Sequence, residues 1–448
     1  MKRFCYHLLW WLILPLVLAK LLWRGLNERG YWQHIAERFG FYRLVKDQPL
    51  IWIHAVSLGE IRAAALLIPA LLQRFPNHQL LLSCMTATGR QAAAEIAQKF
   101  SQSVLVCFAP YDSYGAPSRF LRHFAPQIAI VMETEIWPNM VEACYLRHVP
   151  LVLANARLSE KSLHGYQKFG AVKTLISIAL LRFHSVIAQA EADAARLRIL
   201  CPHANVTVAG NIKFDALPDA QLLARGVDWK IKLVSNRMVL LCASTREGEE
   251  ALILAAYAKA ECAVLRARAL LVIVPRHPQR FDAVARLIDA SGLRLRRRAA
   301  LDLPIEKPED AFNTGTSSYA EVLLGDSMGE LYAYYSMCDV AFIGGSLVPT
   351  GGQNLIEAAA CGKPILMGQS QYNFAQAAAQ ALVCGAMHTV ESADALCAQF
   401  AILCGDADQR RAMALAAQSF AASYQGATLK TVKIIDAAIS ETVVRTSV

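Results

Sequence analysis

Short apolar runs alternate along the chain with longer runs rich in alanine and leucine. The short runs are typical of strands buried in a parallel sheet, and the longer runs are typical of the helices that connect such strands. The first half predicts the strands LIWIHAV, LLLSCMT, VLVCFAP, IAIVMET, LVLANA, SVIAQA and VTVAG. The second half predicts MVLLCAS, ALLVIVPR, LRLRRRA, EVLLGD, DVAFIGGS and PILMG. This alternation indicates an α/β protein with two doubly wound, Rossmann-like domains.

A polar, proline-containing segment, DALPDAQLLARGVDWKIKLVSN, separates the two halves and is interpreted as the interdomain connection. We therefore predict an N-terminal membrane anchor at residues 1–28, a first Rossmann-like domain at 29–220 and a second at 235–448. Ligands of such folds bind beyond the carboxyl ends of the strands. We expect the chemistry in the turns that follow the strands, in a crevice between the two domains.

The N-terminal segment FCYHLLWWLILPLVLAKLLW is apolar over about the 20 residues that a helix needs to cross a bilayer. No small-residue cleavage site follows it, so a retained anchor is predicted rather than a removed signal peptide. We predict that the helix spans the membrane or inserts deeply, the alternative being a helix that lies in the interface or is buried in the fold. More basic residues follow the segment than precede it, which places the body of the protein on the cytoplasmic side.

Composition narrows the possible partners. Hydrophobic residues make up 55% of the chain and charged residues 18%, which excludes a disordered protein. The formal net charge of +9 favours an anionic partner: phospholipid, a phosphorylated substrate or nucleic acid. The basic residues are scattered without a stacking-aromatic motif, so nucleic acid is not expected. The twelve cysteines form no C-x-x-C pair or zinc-spaced cluster, which indicates a reduced compartment and buried, unpaired thiols.

The richest turn of the second half reads GGSLVPTGGQNLIEAAACGKPILMG, residues 344–368. Its glycines allow close approach of the backbone to a ligand, and the helix that follows offers free N–H groups to a phosphate. Glu357 lies in the first turn of that helix, where it could accept hydrogen bonds from a ribose. The alternatives are simple tight turns for the glycines and an interaction with the helix dipole for Glu357.

Three further turns of the second half carry polar residues. PRHPQRF places Arg276, His277 and Arg280 after a strand, where they suit a phosphate group. GDSMGE leads into a helix, and STREGEE is interpreted as a helix cap followed by first-turn acids.

In the first half, carboxylates and one lysine follow predicted strands. HAVSLGE places Glu60 at the start of a helix. Glu60 is either a catalytic group or an acid that interacts favourably with the helix dipole. METEIWPN places Glu133 and Glu135 after a strand, and GNIKFD places Lys213 in a turn. Neither histidine nor a third acid stands at metal spacing near METE, so no metal site is predicted.

The motifs HAVSLGE, METEIWPN, NARLS, GNIKFD, STREGEE, PRHPQRF, GDSMGE and GGQNLIEAAACGKPILMG, in this order, resemble those of the Kdo transferases. These bacterial enzymes move 3-deoxy-D-manno-octulosonic acid (Kdo) from CMP-Kdo to a lipid A precursor. The resemblance extends from the N-terminal apolar segment to about residue 375. It implies a two-domain GT-B glycosyltransferase of lipopolysaccharide biosynthesis, anchored at the cytoplasmic face of the inner membrane.

The resemblance also assigns site residues. It places the catalytic base on Glu60 and groups that support the transition state on Glu133 and Lys213. It places the CMP contacts on Pro275, Arg276, His277, Met328, Gly329, Glu330, Asn354, Leu355, Ile356 and Glu357. Where many members read GGHNPLEA, this chain reads GGQNLIEA, so a contact from position 353 is in doubt. The resemblance implies neither a metal nor a cofactor, since CMP-Kdo is a substrate.

The reaction implied is a single displacement that inverts the anomeric centre, with Glu60 accepting the proton of the acceptor hydroxyl. The helix dipole is expected to keep Glu60 ionised at some loss of basicity. The implied partners are CMP-Kdo, a lipid A precursor such as lipid IVA and the phospholipid surface of the inner membrane. Two alternatives stay open: a GT-B transferase that uses a UDP-sugar on another lipid acceptor, and a non-catalytic, membrane-bound nucleotide-binding protein.

Overall fold

The computed structural model describes residues 2–216, 218–234, 236–302 and 320–446. The chain divides into a first unit, Met1–Ala216 with Tyr424–Val448, and a second unit, Leu217–Ser423. Each unit contains one parallel sheet of seven strands. The predicted class of two doubly wound α/β domains is therefore confirmed.

The first sheet contains the strands that the apolar runs predict, each of them short. They are β1 (Leu50–His54), β2 (Gln79–Cys84), β3 (Val104–Phe108), β4 (Ile128–Met132), β5 (Leu151–Ala156), β6 (Ser185–Ala188) and β7 (Val206–Val208). Their spatial order is β3-β2-β1-β4-β5-β6-β7, and every pair is parallel. The order reverses between β1 and β4, which makes the carboxyl ends of these two strands the switch point at which such sheets bind ligands.

Helices cover both faces of the first sheet. The helices that precede or connect the strands are α1 (Lys2–Asn27), α2 (Leu58–Arg74), α3 (Ala87–Lys99), α4 (Ala116–Phe124), α5 (Pro138–Leu146), α6 (Glu160–Lys168), α7 (Gly170–Leu180) and α8 (Glu191–Leu200). Successive residues of β1 alternate between two cores: Leu50 and Trp52 belong to one, Ile51 and Ile53 to the other. This alternation follows from the two-residue period of a strand.

The second sheet consists of β8 (Met238–Thr245), β9 (Ala269–Pro275), β10 (Leu295–Arg297), β11 (Val322–Leu324), β12 (Val340–Ile343), β13 (Ile365–Met367) and β14 (Met387–Thr389). The order is β10-β11-β9-β8-β12-β13-β14, again parallel, with the switch point between β8 and β12. Around it lie α9 (Ala220–Val234), α10 (Glu249–Ala258), α11 (Ala263–Arg268), α12 (Phe281–Ala290), α13 (Leu331–Met337), α14 (Ile356–Ala360), α15 (Ala375–Val383), α16 (Ala393–Gly405) and α17 (Ala407–Ser423).

Two segments belong to other parts of the fold than the domain boundaries predicted from the sequence indicate. The segment interpreted as the interdomain connection forms α9, which packs in the second unit because Trp229 is buried there, 5.2 Å from the ring of Tyr334. The last helix, α18 (Ala427–Thr446), belongs to the first unit although the boundary 235–448 assigned it to the second. Its apolar residues, among them Ile435 and Ala438, enter the core beneath α2.

Among the described residues, one helix is long and apolar enough to cross a membrane by length and composition alone. It covers Tyr6–Leu26, within α1, with a mean hydropathy of 1.6. The segment predicted as an anchor is thus helical, as expected.

Candidate functional site

The switch point of the first sheet carries two carboxylates from the sequence-based set. Glu60 lies at the start of α2, directly after β1, and Glu133 directly follows β4. Because β1 and β4 are hydrogen-bonded neighbours, their carboxyl ends lie side by side. The fold therefore places these two acids at one edge of the sheet, where a ligand is expected.

Glu60 is held in a capping box at the start of α2. Its carboxylate accepts hydrogen bonds from the N–H of Val56 (2.8 Å) and the hydroxyl of Ser57 (2.8 Å), while the Ser57 oxygen accepts one from the N–H of Glu60 (3.3 Å). The S-x-x-E pattern of the capping box is visible in the sequence, although Ser57 was not among the predicted site residues.

The pKa of Glu60 is raised, which contradicts the expected loss of basicity. Burial is the largest cause, and the neighbouring Glu133 raises the pKa further. Hydrogen bonds from Val56 and Ser57 and the charge of Lys213 oppose this effect without cancelling it. Desolvation therefore outweighs these opposing interactions, and Glu60 is a stronger base than an exposed glutamate.

Glu133 and Lys213 form an ion pair beside Glu60. The Lys213 ammonium donates to Oε1 of Glu133 at 2.6 Å. The backbone of Glu133 has a φ of +55°, a left-handed conformation that costs about 1 kcal/mol or more for a residue other than glycine. The strained backbone and the ion pair fix the direction of this carboxylate.

Asn155 attaches the Lys213 turn to the sheet. Its Oδ1 accepts a hydrogen bond from the N–H of Ile212 at 3.0 Å, and its own φ is +55°. It occupies an irregularity in the register between β5 and β6, and its side chain is buried. Asn155 lies in the NARLS motif, and no role was predicted for it from the sequence. The pattern of polar and apolar residues around it does not predict a left-handed backbone.

Glu135 is a third carboxylate in this region. Burial and the charge of Glu60 raise its pKa to about 7, against a hydrogen bond from Trp137. That bond joins the indole N–H to Oε2 at 2.7 Å. The sequence placed Glu135 beside Glu133, but only the structure shows that it holds its proton more firmly than an ordinary acid.

In the second unit, two loops meet at the switch point between β8 and β12. A side chain on Gly344 would approach the backbone of Ser244 and Thr245 to 2.7 Å, so the close contact of these loops requires glycine. Glu249 accepts hydrogen bonds from the N–H groups of Gly345 (2.7 Å) and Ser346 (3.0 Å). The buried Glu249 thereby holds the glycine-rich loop in place.

In the interpretation of STREGEE, the side-chain cap is wrong, whereas the acids do lie in the first turn of α10. The cap position of α10 is Gly248, which has no side chain to donate or accept, and the two acids that follow it are buried. Glu249 binds the glycine-rich loop, and Glu250 forms a two-point ion pair with Arg280 at 2.6 and 3.1 Å. Both acids hold loops in place at the carboxyl edge of the sheet. The local sequence pattern does not distinguish this role from helix capping.

Of the predicted residues, Pro275 ends β9, and Arg276 and His277 follow it at this edge. Pro275 is buried, whereas Arg276 and His277 are exposed. Arg246 donates to Nε2 of His277 at 2.6 Å, so that nitrogen carries no proton. Desolvation and the charges of Arg246, Arg276 and Arg280 lower the pKa of His277, so the arginines remain the cationic groups that suit a phosphate.

The predicted residues from 354 to 357 begin α14. Asn354 accepts from the N–H of Ile356 and donates to Oε1 of Glu357, both at 3.0 Å. Burial raises the pKa of Glu357, against the hydrogen bond from Asn354 and the nearby charge of Arg276. Leu355 and Ile356 are buried, so any contact they make with a ligand is through the backbone. The structure thus brings Arg276 close to Glu357.

The turn from Met328 to Glu330 follows β11. Met328 and Gly329 are exposed, with φ of +80° at Gly329. Burial alone would raise the pKa of Glu330, but hydrogen bonds from Ser327, Arg298 and Arg225 lower it overall. Because two arginines already engage the Glu330 carboxylate, at 2.7 and 2.8 Å, we expect the turn itself to meet a ligand.

Within the described ranges, no group of three or more His, Cys, Asp or Glu side chains is arranged to hold a metal ion. The expectation of chemistry without a metal or cofactor stays a prediction. The site that the first unit presents consists of a raised-pKa carboxylate, a carboxylate–ammonium pair and a third acid. Such a set suits proton removal from a hydroxyl group.

Comparison with known proteins identifies relatives over most of the chain. The profile of the family described as 3-deoxy-D-manno-octulosonic-acid transferase (kdotransferase) matches residues 33–216. A 3-deoxy-D-manno-octulosonic acid transferase of Bordetella pertussis is 38% identical over 436 residues, 94% of this chain and 96% of that protein. One of Haemophilus influenzae is 35% identical, over 88% of this chain and 89% of that protein.

Among solved structures, a glycosyltransferase from Rickettsia africae has a similar fold. Its TM-score is 0.57 at 13% identity, over 89% of this chain and 99% of that chain. At this identity the likeness concerns the fold alone, and it agrees with the two doubly wound units.

Proposed function

This chain belongs to the Kdo transferase family of glycosyltransferases, and we propose that it moves Kdo from CMP-Kdo to a hydroxyl group of lipid IVA at the cytoplasmic face of the inner membrane. In this proposal Glu60 is the base, Glu133 and Lys213 support the transition state, and the second unit binds CMP.

The observation that carries the proposal is the arrangement at the switch point of the first sheet. Glu60 is buried enough for its pKa to be raised, and it interacts electrostatically with both Glu133 and Lys213. A base of raised pKa beside a fixed cation suits removal of a hydroxyl proton and stabilisation of nearby negative charge.

The displacement proceeds in one step. The acceptor oxygen forms a bond to the anomeric carbon of Kdo, and the bond from that carbon to the phosphate oxygen of CMP breaks. The bonding electrons leave with CMP, and the acceptor proton passes to the Glu60 carboxylate. Arg276 and the N–H groups at the start of α14 are the groups of the second unit that we assign to the CMP phosphate.

The test of the base is Glu60→Gln. Glutamine retains the capping box, since its carbonyl oxygen can accept from Val56 and its amide can donate to Ser57. We expect kcat for transfer from CMP-Kdo to lipid IVA to fall about 10²- to 10⁴-fold with unchanged thermal stability. A near-normal rate in the folded variant would exclude Glu60 as the base.

The donor assignment is tested separately by calorimetric titration of CMP. Arg276→Ala is expected to weaken CMP binding about tenfold or more, because a charge-assisted contact to phosphate is lost. Arg411→Ala, a change at an exposed arginine of α17 paired with Asp408, is the matched control. Preference for a UDP-sugar over CMP-Kdo in the transfer assay would contradict the proposed donor.

A further inference from the structure

The helix α1 lies along the first unit from Tyr6 to Gly25. His7, Trp10, Leu14 and Val17 are half-buried, and Leu21 and Gly25 are buried. Every other described position from Leu8 to Leu26 is exposed. Steps of three and four residues are the period of one helix face, so one continuous stripe of α1 rests on the folded unit.

Polar contacts fix the N-terminal end of α1 to the folded unit. The hydroxyl of Tyr6 donates to Oδ2 of Asp112 at 2.8 Å. The Nε2 atom of His7 lies 2.8 Å from Oδ1 of Asn139, at hydrogen-bond distance. Asp112 is buried and also accepts from the N–H groups of residues that begin α5, so these contacts belong to the folded interior rather than to a loose loop.

The other end of α1 is fixed to the same unit. Leu21 packs with Tyr31 and Ala87, the last being the first residue of α3. The indole N–H of Trp32 donates to the carbonyl oxygen of Leu22 at 3.2 Å. Contacts at both ends therefore anchor the helix to one folded body.

These contacts are incompatible with a helix that crosses the bilayer. A crossing helix places its two ends on opposite sides of a hydrocarbon core about 30 Å thick, and a folded polar unit can contact only one of them. In this chain, Tyr6 and Leu21, about 22 Å apart along the helix axis, both touch the first unit. The prediction of a spanning anchor does not agree with this arrangement, and the interfacial alternative does.

The face of α1 that points away from the first unit is apolar and exposed. Its large side chains are Leu8, Trp11, Leu12, Leu16, Leu22, Trp23 and Leu26, each between 50% and 71% exposed. Tryptophans stand near both ends of this face, as is typical of side chains at the boundary between lipid headgroups and acyl chains.

The charges around this face fit an anionic lipid surface better than a protein partner of mixed charge. The helix contains no acidic residue, and Lys20 and Arg24 are exposed beside the apolar face. The neighbouring α7, which packs against α1, adds the exposed Lys173, with Phe169 exposed just before it. Apolar side chains flanked by lysine and arginine are the pattern of a helix that lies in the membrane interface.

We propose that α1 is an in-plane anchor: it lies between the first unit and the membrane surface, with its outer face inserted among anionic phospholipids, and both ends of α1 stay on the cytoplasmic side. The cytoplasmic orientation rests on the proposed function, whereas the in-plane position rests on the contacts of α1 alone.

Topology is tested with the full chain carrying an N-terminal epitope tag, in inside-out vesicles of the bacterial inner membrane. Added protease is expected to remove the tag and to digest the body at similar rates without detergent. A tag that survives until detergent opens the vesicles, while the body is digested, would overturn the proposal.

Insertion is tested with the purified full chain and vesicles of phosphatidylethanolamine and phosphatidylglycerol. The double variant Leu12→Asp, Leu16→Asp is expected to reduce the vesicle-bound fraction about tenfold or more, because two inserted apolar side chains become charged. Leu415→Asp, at an exposed leucine of α17, is the matched control and is expected to bind as the wild type does. Unchanged binding of the double variant, or absence of binding by the wild type, would overturn the proposal.

Two readouts keep this inference separate from the proposed function. Transfer to an acceptor dissolved in detergent is expected to be normal in the double variant, since no residue of the first-unit site is changed. Failure of transfer in the wild type would contradict the proposed function without affecting vesicle binding. A change from dimer to monomer in the double variant, without an effect on vesicle binding, would identify a second copy as the occupant of this face and overturn the proposal.

Discussion

Asn155 accepts a hydrogen bond through Oδ1 from the backbone N–H of Ile212, at 3.0 Å. The residue that follows Ile212 is Lys213, whose ammonium group donates a hydrogen bond to the carboxylate of Glu133. Asn155 thereby links an irregular end of β5 to the turn that positions the lysine. We interpret it as a positioning residue that acts through Lys213.

Two substitutions separate the side chain of Asn155 from its backbone. Asn155→Gly removes the acceptor but tolerates the φ of +55°, whereas Asn155→Ala also strains the backbone by about 1 kcal/mol. We expect both to lower kcat about tenfold or more, and only alanine to add that loss of stability. Rates are measured for transfer from CMP-Kdo, and stability by urea denaturation. Normal kcat in the glycine variant would refute the positioning role.

Ser57 controls the pKa of the proposed base. Its hydroxyl donates to Glu60, and this hydrogen bond lowers the pKa of Glu60 against the larger effect of burial. In Ser57→Ala the pKa of Glu60 should therefore rise further. Because the base acts as a carboxylate, the acid limb of the pH profile of kcat/KM is expected to move to higher pH.

Ser159 provides the control for this change. It caps α6 as Ser57 caps α2, and its oxygen accepts from the N–H of Ser162. Ser159→Ala is expected to cost a similar stability, about 1 kcal/mol, and to leave the acid limb in place. An identical acid limb in wild type and Ser57→Ala would show that Glu60 does not set it.

Glu135 makes stability depend on pH. Burial raises its pKa to about 7, so the folded protein binds this proton more tightly than the unfolded chain does. Its stabilising contribution is fully present below the ordinary glutamate pKa and is lost as the pH rises through about 7. Glu135→Gln removes the buried charge and can keep the hydrogen bond from Trp137 through its carbonyl oxygen.

We expect Glu135→Gln to exceed the wild type in free energy of unfolding by about 1–3 kcal/mol at pH 8, and to differ little at pH 5. Urea denaturation at several pH values measures the difference. A gap that stays constant from pH 5 to pH 8 would mean that Glu135 titrates normally.

The sequence was sufficient for every strand except the short β14, and it indicated the turns after the strands as the place of the site, which stays a prediction. The apolar runs that form β1 and β4 are stable only when they are buried, and the turns that follow parallel strands meet at one edge of the sheet. The raised pKa of Glu60 was not predictable, because it depends on how deeply the surrounding chain buries a helix start. The left-handed backbone of Asn155 was not predictable either, since it accompanies the irregular register between β5 and β6.

Long-range packing accounts for the other differences. The amphipathic pattern of α18 shows that one face is buried but not which unit buries it. Its attachment depends on Asp215, which accepts hydrogen bonds from the N–H groups of Gly426 and Thr428. The hydropathy of α1 likewise fits a spanning helix and an in-plane helix equally, and only contacts such as that of Tyr6 with Asp112 distinguish them.

Gly344 controls the approach of two loops at the switch point of the second sheet. A methyl group there would lie 2.7 Å from the backbone of Thr245, closer than atoms can pack, so Gly344→Ala must separate the loops. We expect a loss of stability of about 1–3 kcal/mol and CMP binding weaker by about tenfold, because the strand ends of the proposed nucleotide site move apart. Gly405→Ala is the matched control, since it has open space around it and lies at the end of α16. Calorimetric titration with CMP and urea denaturation measure both effects. Wild-type affinity in Gly344→Ala would show that this loop contact does not shape the nucleotide site.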